Sequence, residues 1–308
     1  MVKLFDWEEQ EAEINLSWSS VEGYLELDEL EYDDREPREI LAEWYDVKPE
    51  NVILVHGAQE GTFLSLLALK PDVIHVPRPN YPLIWDQAME LGIKVEYTGL
   101  YPDVEGSVVV MANPNNPTGK YIELDEVADK NIVVVDEIFR PYVTDETWVH
   151  DNAIVICSTS KFFGFKNRKV GWIIAGKRFV ERVRHIRDLV TPTPIYDSLL
   201  VKYAFRNYRY IKRRTLEIVG RNRDVLYKYN RHFKIEYSPS MPIALLRHDE
   251  LDSLDFCRRL YHEKSVLLNP LEYWGAGQGM RISLGKLDPG ILEEGMRRIN
   301  QFIEEHGF

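Results

Sequence analysis

The sequence predicts an α/β fold: a mostly parallel seven-stranded sheet with helices on both faces, followed by a smaller α+β C-terminal domain. Seven short apolar segments lie between residues 52 and 175, separated in part by helix-like segments, and this alternation is typical of parallel sheets. Polar motifs follow three of these segments, at the strand ends where open α/β sheets bind ligands. Beyond residue 197, a long helical pattern leads to three further strands and a closing helix.

The elements follow in a simple order along the chain. The strands expected in the large sheet are Val52–Ala58, Val73–Pro77, Lys94–Tyr97, Ser107–Ala112, Ile132–Asp136, Ala153–Cys157 and Val170–Ala175. Helices are expected over Tyr81–Leu91 and over a long region, 198–229. The small domain should contain the strands Lys234–Tyr237, Ile243–Arg247 and Arg281–Leu284 and the helix Asp288–His306. We therefore expect an N-terminal segment (1–45) that contributes to small-domain and dimer contacts, a large domain (46–197), and a linking helix with the small domain (198–308).

Composition indicates an ordinary globular protein. The chain has 308 residues, 44% of them hydrophobic, which is enough to bury large cores. Its two cysteines, Cys157 and Cys257, have no metal-binding or redox spacing and fit a reducing cytoplasm. The start has no apolar signal region, and no apolar run is long enough to span a bilayer. We therefore expect a cytoplasmic protein without a metal site or a membrane contact.

Charge is unevenly distributed along the chain. The net charge is −12, and residues 1–40 hold 14 acidic and 3 basic residues. A basic stretch runs from Phe205 to Arg231. Such a stretch is either a solvated helix face or a partner for the acidic segment, and we hypothesise that the two segments lie together. The acidic total and the absence of a recognisable binding module argue against a nucleic-acid partner.

Lys161 is the first candidate for chemistry. It ends the sequence Ser158-Thr159-Ser160-Lys161, which follows a strand-like apolar run. Burial favours the neutral amine and lowers the pKa of a lysine, and a neutral lysine can form a Schiff base with an aldehyde cofactor. An exposed lysine at a strand end is the plain alternative.

Two further motifs occur at the ends of other predicted strands. The sequence NPNNPTG occupies residues 113–119, and Asp136 and Glu137 end the apolar run that begins at residue 131. Taken singly, the first could be a turn and the second a helix cap. The carboxyl ends of parallel strands meet at one edge of a sheet, so we expect these polar groups to converge with Lys161.

These three ordered motifs resemble those of the fold-type I enzymes that depend on pyridoxal 5'-phosphate (PLP), specifically the class I/II aminotransferases. The similarity runs from about Gly57 to the C-terminus. The resemblance implies the PLP transferase fold of type I, PLP as the cofactor, and an L-amino acid and a 2-oxo acid as substrates. It also implies a homodimer with its sites at the interface.

The resemblance gives five residues a role. Lys161 would hold PLP as a Schiff base and carry the proton, and Asp136 would pair with the pyridine nitrogen, which keeps the ring able to accept electrons. Asn116 would donate to the phenolic oxygen and contact the substrate. Tyr81 would stack on the ring, although a packed core tyrosine is an alternative. Arg281 would clamp the substrate α-carboxylate with its planar fork, unless it is an exposed structural arginine.

Phosphate binding needs backbone N–H groups, hydroxyls and a cation. The Gly-rich turn at residues 56–61 could equally serve packing alone. Where the family has an arginine eight residues after the lysine, this chain has Lys169 with Arg168 beside it. The residues implied in phosphate binding are Gly57, Ala58, Gln59, Ser158, Ser160, Lys169 or Arg168, and Tyr32 from a neighbouring subunit.

One departure from the family pattern bears on the reaction. Phe139 replaces a tyrosine that usually donates to the phenolic oxygen, so that hydrogen bond is missing and the pKa of the Schiff base should rise. Tyr142 lies nearby in sequence. We expect an aminotransferase that moves an amino group through Lys161, with a PLP-dependent decarboxylase, lyase or other non-transaminating enzyme as the alternative. A PLP-binding protein without turnover is a second alternative.

Overall fold

The computed structural model describes residues 3–22, 30–165, 169–190, 195–239, 241–248 and 250–307. Three elements precede the large sheet: helix α1 (Lys3–Glu8), the two-residue strand β1 (Ile14–Asn15) and helix α2 (Pro37–Trp44). Pro37 occupies the first turn of α2, where its missing N–H group is not needed. A 3₁₀ turn over Pro49–Asn51 then leads into the sheet.

The large sheet has seven strands and is mostly parallel, as the sequence predicts. Its strands are β2 (Val52–Val55), β3 (Val73–Pro77), β4 (Lys94–Thr98), β5 (Val108–Ala112), β6 (Ile132–Asp136), β7 (Ala153–Ser158) and β8 (Gly171–Ala175). Their spatial order is β2-β8-β7-β6-β5-β3-β4, and β8 runs antiparallel to both of its neighbours. The central strands are apolar without alternation because both faces of the sheet are covered.

Helices between the strands cover the sheet. They are α3 (Ala58–Leu69), α4 (Leu83–Glu90), α5 (Asp125–Lys130), α6 (Arg140–Val143) and α7 (Lys177–Val190). The predicted strand Val52–Ala58 is three residues too long at its end. Gly57 adopts a φ of 106°, which breaks the strand, and α3 begins at the next residue.

The small domain is built around a four-stranded antiparallel sheet. Its elements are β9 (Lys234–Glu236), β10 (Ile243–Arg247), α10 (Ser253–Lys264), β11 (Val266–Leu267), β12 (Asn269–Pro270), a 3₁₀ turn (Leu271–Trp274), β13 (Met280–Ser283) and α11 (Pro289–His306). The strand order is β12-β13-β10-β9. Strand β1 pairs in parallel with β11, so the start of the chain joins this domain.

The linking region is two helices, α8 (Ile195–Arg206) and α9 (Tyr208–Tyr229), where the sequence pattern predicts one long helix. The break falls at Asn207, whose side chain donates to the carbonyl oxygen of Tyr203. Asparagine competes with the backbone for hydrogen bonds in this way, which favours a helix boundary.

Parts of the acidic segment contact the basic helices. Arg206 pairs with Glu31 at 2.9 Å, and Arg214 donates to the carbonyl oxygen of Glu22 at 3.4 Å. Residues 23–29 of this segment lie outside the described residues. Arg223 of α9 pairs instead with the adjacent aspartate. None of the helices in the described part of the chain is long and apolar enough to cross a membrane.

Close packing at Gly171 gives a test of the fold. A Cβ atom at this position would lie 2.6 Å from the backbone carbon of Gly57 and 3.0 Å from the carbonyl oxygen of Cys157. Overpacking of this kind costs roughly 1–3 kcal/mol. We expect Gly171→Ala to lower the free energy of unfolding by that amount, measured by denaturant titration.

Gly220 supplies the matched control. It lies inside α9, and a Cβ atom there would meet nothing within 4 Å. Because alanine is a better helix former than glycine, Gly220→Ala should leave stability unchanged or raise it by about 0.5–1 kcal/mol. If Gly171→Ala proves as stable as Gly220→Ala, the clash at β8 is relieved by movement and the expectation is wrong.

Candidate active site

A cavity of about 310 Å³ lies at the carboxyl edge of the large sheet. Strand pairing brings the residues of this edge together: Ala112 of β5 lies opposite Asp136 of β6, and Ser158 of β7 lies opposite Gly171 of β8. Residues from the N-terminal segment and the small domain complete the walls. The residues that line the cavity include Phe5, Glu8, Glu9, Trp18, Ser19, Ser20, Gly57, Ala58, Gln59, Tyr81, Asn116, Asp136, Phe139, Ser160, Lys161, Lys169 and Arg281.

Lys161 is half-buried in this cavity, three residues after the end of β7. Its Nζ donates to Ser19 Oγ at 3.0 Å, and its backbone carbonyl accepts a 3.1 Å bond from the hydroxyl of Tyr142. Burial lowers the pKa of Lys161 to about 8, helped by Arg281, while Glu8 opposes the shift. A large part of the lysine is therefore the neutral amine near pH 8.

Asp136 ends β6 and faces the cavity. Its Oδ1 accepts a 3.0 Å bond from the backbone N–H of Ile138, and burial raises the pKa of this carboxyl to about 6. Glu137 lies on the other side of the chain because successive strand residues point to opposite faces. There it pairs with Arg140 at 2.6 Å, and burial raises its pKa to about 8.

Asparagine side chains shape the loops beside Asp136. Asn113 bonds through both side-chain atoms to the backbone of Ile122, at 2.9 and 3.1 Å. Asn115 donates to the carbonyl oxygen of Pro79 at 2.8 Å, which ties together the loops after β5 and β3. These contacts leave Asn116 facing the cavity, where its Oδ1 accepts from Arg281 at 3.1 Å. Among the described residues, Nδ2 of Asn116 has no hydrogen-bond partner and remains for another group.

The turn after β2 presents backbone N–H groups at the start of α3. Gly57 has a φ of 106°, and a Cβ atom there would approach Lys169 at 3.8 Å. Gln59 donates to the hydroxyl of Tyr81 at 2.9 Å, which fixes that ring at the cavity wall. The hydroxyls of Ser158 and Ser160 lie 2.9 Å apart. This end of the cavity thus combines helix-start N–H groups with a hydroxyl and a cation.

Arg281 is 2% exposed and lies over the ring of Trp274, with its guanidinium carbon 4.3 Å from the ring centre. Its Nη2 donates to Glu8 Oε1 at 3.0 Å and to the carbonyl oxygen of Ser17 at 2.7 Å. Burial lowers the pKa of Arg281, an effect that Glu8 opposes. The site therefore contains a buried ion pair between β13 and α1.

Most of the residues predicted from sequence come together in this cavity. Ser158 is buried behind Ser160 and is not part of the lining. Tyr32 is 55% exposed, packs on Tyr203 and does not line the cavity, so its contact with a neighbouring subunit stays a prediction. Arg168 lies outside the described residues, whereas Lys169 lines the cavity.

Sequence reasoning missed the residues that the N-terminal segment contributes. The family resemblance implies that N-terminal residues cover the site, but Tyr32 is the one residue of this segment that the sequence analysis assigns to it. In the sequence, Glu8 is one acid among many, and Ser19 belongs to no motif. The pairing of β1 with β11 brings both residues to the cavity. No local sequence pattern predicts this pairing. The residues missed are Phe5, Glu8, Glu9, Trp18, Ser19 and Ser20.

Comparison with known proteins places the chain in a family. The model of the family "Aminotransferase class I and II" matches residues 29–299. The chain belongs to this family. Its cofactor is accordingly PLP, and it is a PLP-dependent aminotransferase of fold type I.

Individual relatives differ in what they are named for. A histidinol-phosphate aminotransferase from Pyrococcus furiosus is 26% identical over 291 residues, covering 87% of this chain and 81% of the relative. An aspartate aminotransferase from Sulfolobus acidocaldarius is 25% identical over 310 residues, covering 84% and 76%. A solved PLP-dependent aminotransferase from Streptococcus suis has a TM-score of 0.87 at 20% identity, covering 99% and 97% of the two chains, and so shares the fold.

The residues of the cavity fit PLP. Gly57 leaves the helix start open to an anion, because its φ of 106° disfavours a side chain there. The Lys161 amine, the Asp136 carboxylate and the side chain of Asn116 all face the same space. The described residues contain no group of three or more His, Cys, Asp or Glu side chains that could hold a metal ion.

The lowered pKa of Lys161 gives a pH prediction. Only the neutral amine attacks an aldehyde, so PLP-free protein should capture PLP with a rate that rises with pH and reaches half its maximum near pH 8. The absorbance of lysine-bound PLP measures the rate. Nα-acetyllysine is the control and should give a midpoint near its ordinary pKa of about 10.4. A protein midpoint as high as the control would contradict the effect of burial.

Proposed function

We propose that the protein transfers an amino group from an L-amino acid to a 2-oxo acid. The observation that carries this proposal is the convergence of a low-pKa lysine, a buried carboxylate, an amide and an arginine in one cavity. These are the groups that amino-group exchange on PLP needs: a proton carrier, a partner for the ring nitrogen and an anion site for the substrate.

PLP, when bound, supplies an electron-accepting ring that stabilises negative charge on the substrate α-carbon. Lys161 would link the cofactor to the protein and carry the proton, because its pKa of about 8 lets it accept and release a proton near neutral pH. Asp136 would hold a negative charge for the ring nitrogen. A cationic partner there would favour the ionised carboxylate, against the effect of burial that raises its pKa to about 6.

The other residues bind and orient. We propose that the N–H groups of Gly57, Ala58 and Gln59, the hydroxyl of Ser160 and the cation Lys169 hold the phosphate, with Ser158 positioning Ser160. Asn116 and Tyr81 would hold the ring through the Nδ2 donor and the aromatic face, and Arg281 would receive the substrate carboxylate. The geometry around Gly57 and the 2.9 Å bond between Gln59 and Tyr81 support this arrangement.

Phe139 lines the cavity where the family has a tyrosine, and Tyr142 does not replace the missing donor. The Tyr142 hydroxyl donates to the backbone of Lys161, and its side chain is 2% exposed. One donor to the phenolic oxygen is therefore absent among the described residues. This change is compatible with transamination, and it keeps decarboxylation and elimination as outcomes that the assay must separate.

We also propose that the protein acts as a cytoplasmic homodimer. Both cysteines are buried and unpaired, which suits a reducing compartment. The exposed ring of Tyr32 is available to a second subunit.

The experiment that tests the reaction is an absorbance titration of PLP-loaded protein with a panel of amino acids, followed by product analysis. Transamination converts the bound cofactor to pyridoxamine 5'-phosphate and forms one equivalent of 2-oxo acid. Release of carbon dioxide would assign a decarboxylase, and release of ammonia a lyase. No spectral response to any donor would indicate binding without turnover.

Asp136→Asn tests the partner of the ring nitrogen. Loss of one preorganised charge in an active site typically lowers kcat by about 10²- to 10³-fold, and we expect this range here because the amide cannot keep the nitrogen protonated. PLP should still bind, since Lys161 is retained. Asp103→Asn, on an exposed loop, is the control. A fall in kcat of less than about fivefold would remove Asp136 from its proposed role.

A further inference from the structure

Nη2 of Arg281, the nitrogen shared by both ways of pairing with a substrate carboxylate, already donates to other groups of the protein. Both hydrogens of Nη2 have acceptors: Glu8 Oε1 at 3.0 Å and the carbonyl oxygen of Ser17 at 2.7 Å. Nη1 donates one hydrogen to Asn116 Oδ1 at 3.1 Å. A carboxylate pairs with two parallel N–H groups through Nη2 together with either Nε or Nη1. Each of these forks is obstructed by a group of the protein itself.

The carboxylate that blocks Arg281 is firmly held. Glu8 is 7% exposed, and its Oε1 also accepts a 2.7 Å bond from Asn269 Nδ2. The helix that carries it, α1, is fixed by the indole of Trp7, which donates to the carbonyl oxygen of Leu268 at 2.7 Å. The side chain of Leu4 on the same helix is buried. The carboxylate of Glu8 is therefore a fixed part of the cavity wall.

The same carboxylate makes the Arg281 end of the cavity close to neutral. Glu8 supplies one negative charge against the single positive charge of Arg281. A substrate carboxylate arriving there would meet a like charge in a partly dehydrated site, where such repulsion is strong. A substrate without a carboxylate would meet a guanidinium whose charge is already balanced.

We propose that Glu8 is a specificity-determining residue: it competes with substrate carboxylates for Arg281 and thereby favours amino donors whose amino-bearing carbon has no carboxylate. The favoured donors are primary amines and amino alcohols, compared with L-amino acids that have the same side chain and that still react. The inference rests on the proposed transamination and on Arg281 as its anion site. An L-amino acid or a 2-oxo acid reacts only by displacing Glu8 from Nη2, so it binds more weakly than an unobstructed arginine would allow.

Direct binding tests the competition without turnover. PLP-loaded wild-type protein, Glu8→Gln and Glu11→Gln are titrated calorimetrically with propionate, 4-methylpentanoate, 3-phenylpropionate and glutarate, none of which has an amino group to react. Glu11 is exposed on the same N-terminal segment and does not line the cavity, so its substitution makes the same charge change as a control. We expect Glu8→Gln to bind at least one carboxylate about tenfold or more tightly than wild type, since a neutral amide competes less well for a guanidinium. Glu11→Gln should match wild type within about twofold.

Matched donors test the consequence for specificity. Single-turnover formation of pyridoxamine 5'-phosphate is followed with L-phenylalanine against 2-phenylethylamine, L-leucine against 3-methylbutylamine, and L-leucine against L-leucinol. In wild type the carboxylate-free member of each reacting pair should have the larger ratio of rate to dissociation constant. In Glu8→Gln that preference should fall by about tenfold or reverse.

The two arms separate failure of the inference from failure of the proposed function. If Glu8→Gln binds no carboxylate more tightly than wild type, the competition is wrong, whether or not transamination occurs. If carboxylate binding rises but no variant forms pyridoxamine 5'-phosphate, transamination fails and the role of Glu8 at Arg281 stands. Glu8→Asp keeps the charge but moves it away from Arg281, because aspartate is one methylene shorter than glutamate. If Glu8→Gln does not fold, Glu8→Asp supplies the comparison of carboxylate affinity with the wild type. For Glu8→Asp, an affinity between those of the wild type and an unobstructed site is expected, and an affinity below wild type would contradict the proposal.

Discussion

The register of the parallel strands β5, β6 and β7 is the constraint on which the site depends. Ala112, Asp136 and Ile156 lie side by side in this register, so the loops that follow begin at one edge of the sheet. A shift of one residue in β6 would turn Asp136 to the opposite face and bring Glu137 to the cavity. The continuous apolar sequence of these strands, buried on both faces, makes such a shift hard to detect locally. Backbone bonds at the strand ends fix the register: the N–H group of Asn113 donates to the carbonyl oxygen of Asp136 at 2.9 Å, and that of Glu137 donates to the carbonyl oxygen of Ile156 at 2.7 Å.

Loss of water shifts the pKa values of the ionisable groups at this edge of the sheet. The same burial that lowers the pKa of Lys161 raises that of Asp136, because in both cases the charged form loses water. The N-terminal segment pairs with the C-terminal part of the chain through β1 and β11, contacts Lys161 through Ser19, and lines the cavity with Glu8. The loops of the large sheet therefore supply the lysine and the aspartate, while the N-terminal segment supplies a charge and a hydrogen bond that act on the lysine.

The sequence allows the large sheet and most of the cofactor side of the site to be predicted, because each strand and the motif after it are local. Lys161, Asp136 and Asn116 are such cases. The errors have physical causes: Gly57 ends β2 early through its positive φ, and Asn207 divides the linking helix. Glu8 and Ser19 could not be predicted, since both reach the cavity through contacts with residues far away in sequence, and neither belongs to a local motif.

The position of Glu8 links substrate choice to the proton chemistry of Lys161. Glu8 raises the pKa of Lys161, and Arg281 lowers it. When a donor without a carboxylate binds, Glu8 stays paired with Arg281 and this balance is unchanged. When a carboxylate displaces Glu8 from Arg281, the substrate adds a second negative charge beside the same guanidinium. One positive and two negative charges then lie near Lys161, which favours the protonated lysine more than the Glu8–Arg281 pair alone does. A donor without a carboxylate therefore leaves the pKa of Lys161 unchanged, whereas an L-amino acid raises it, and the two kinds of donor meet a proton carrier of different basicity.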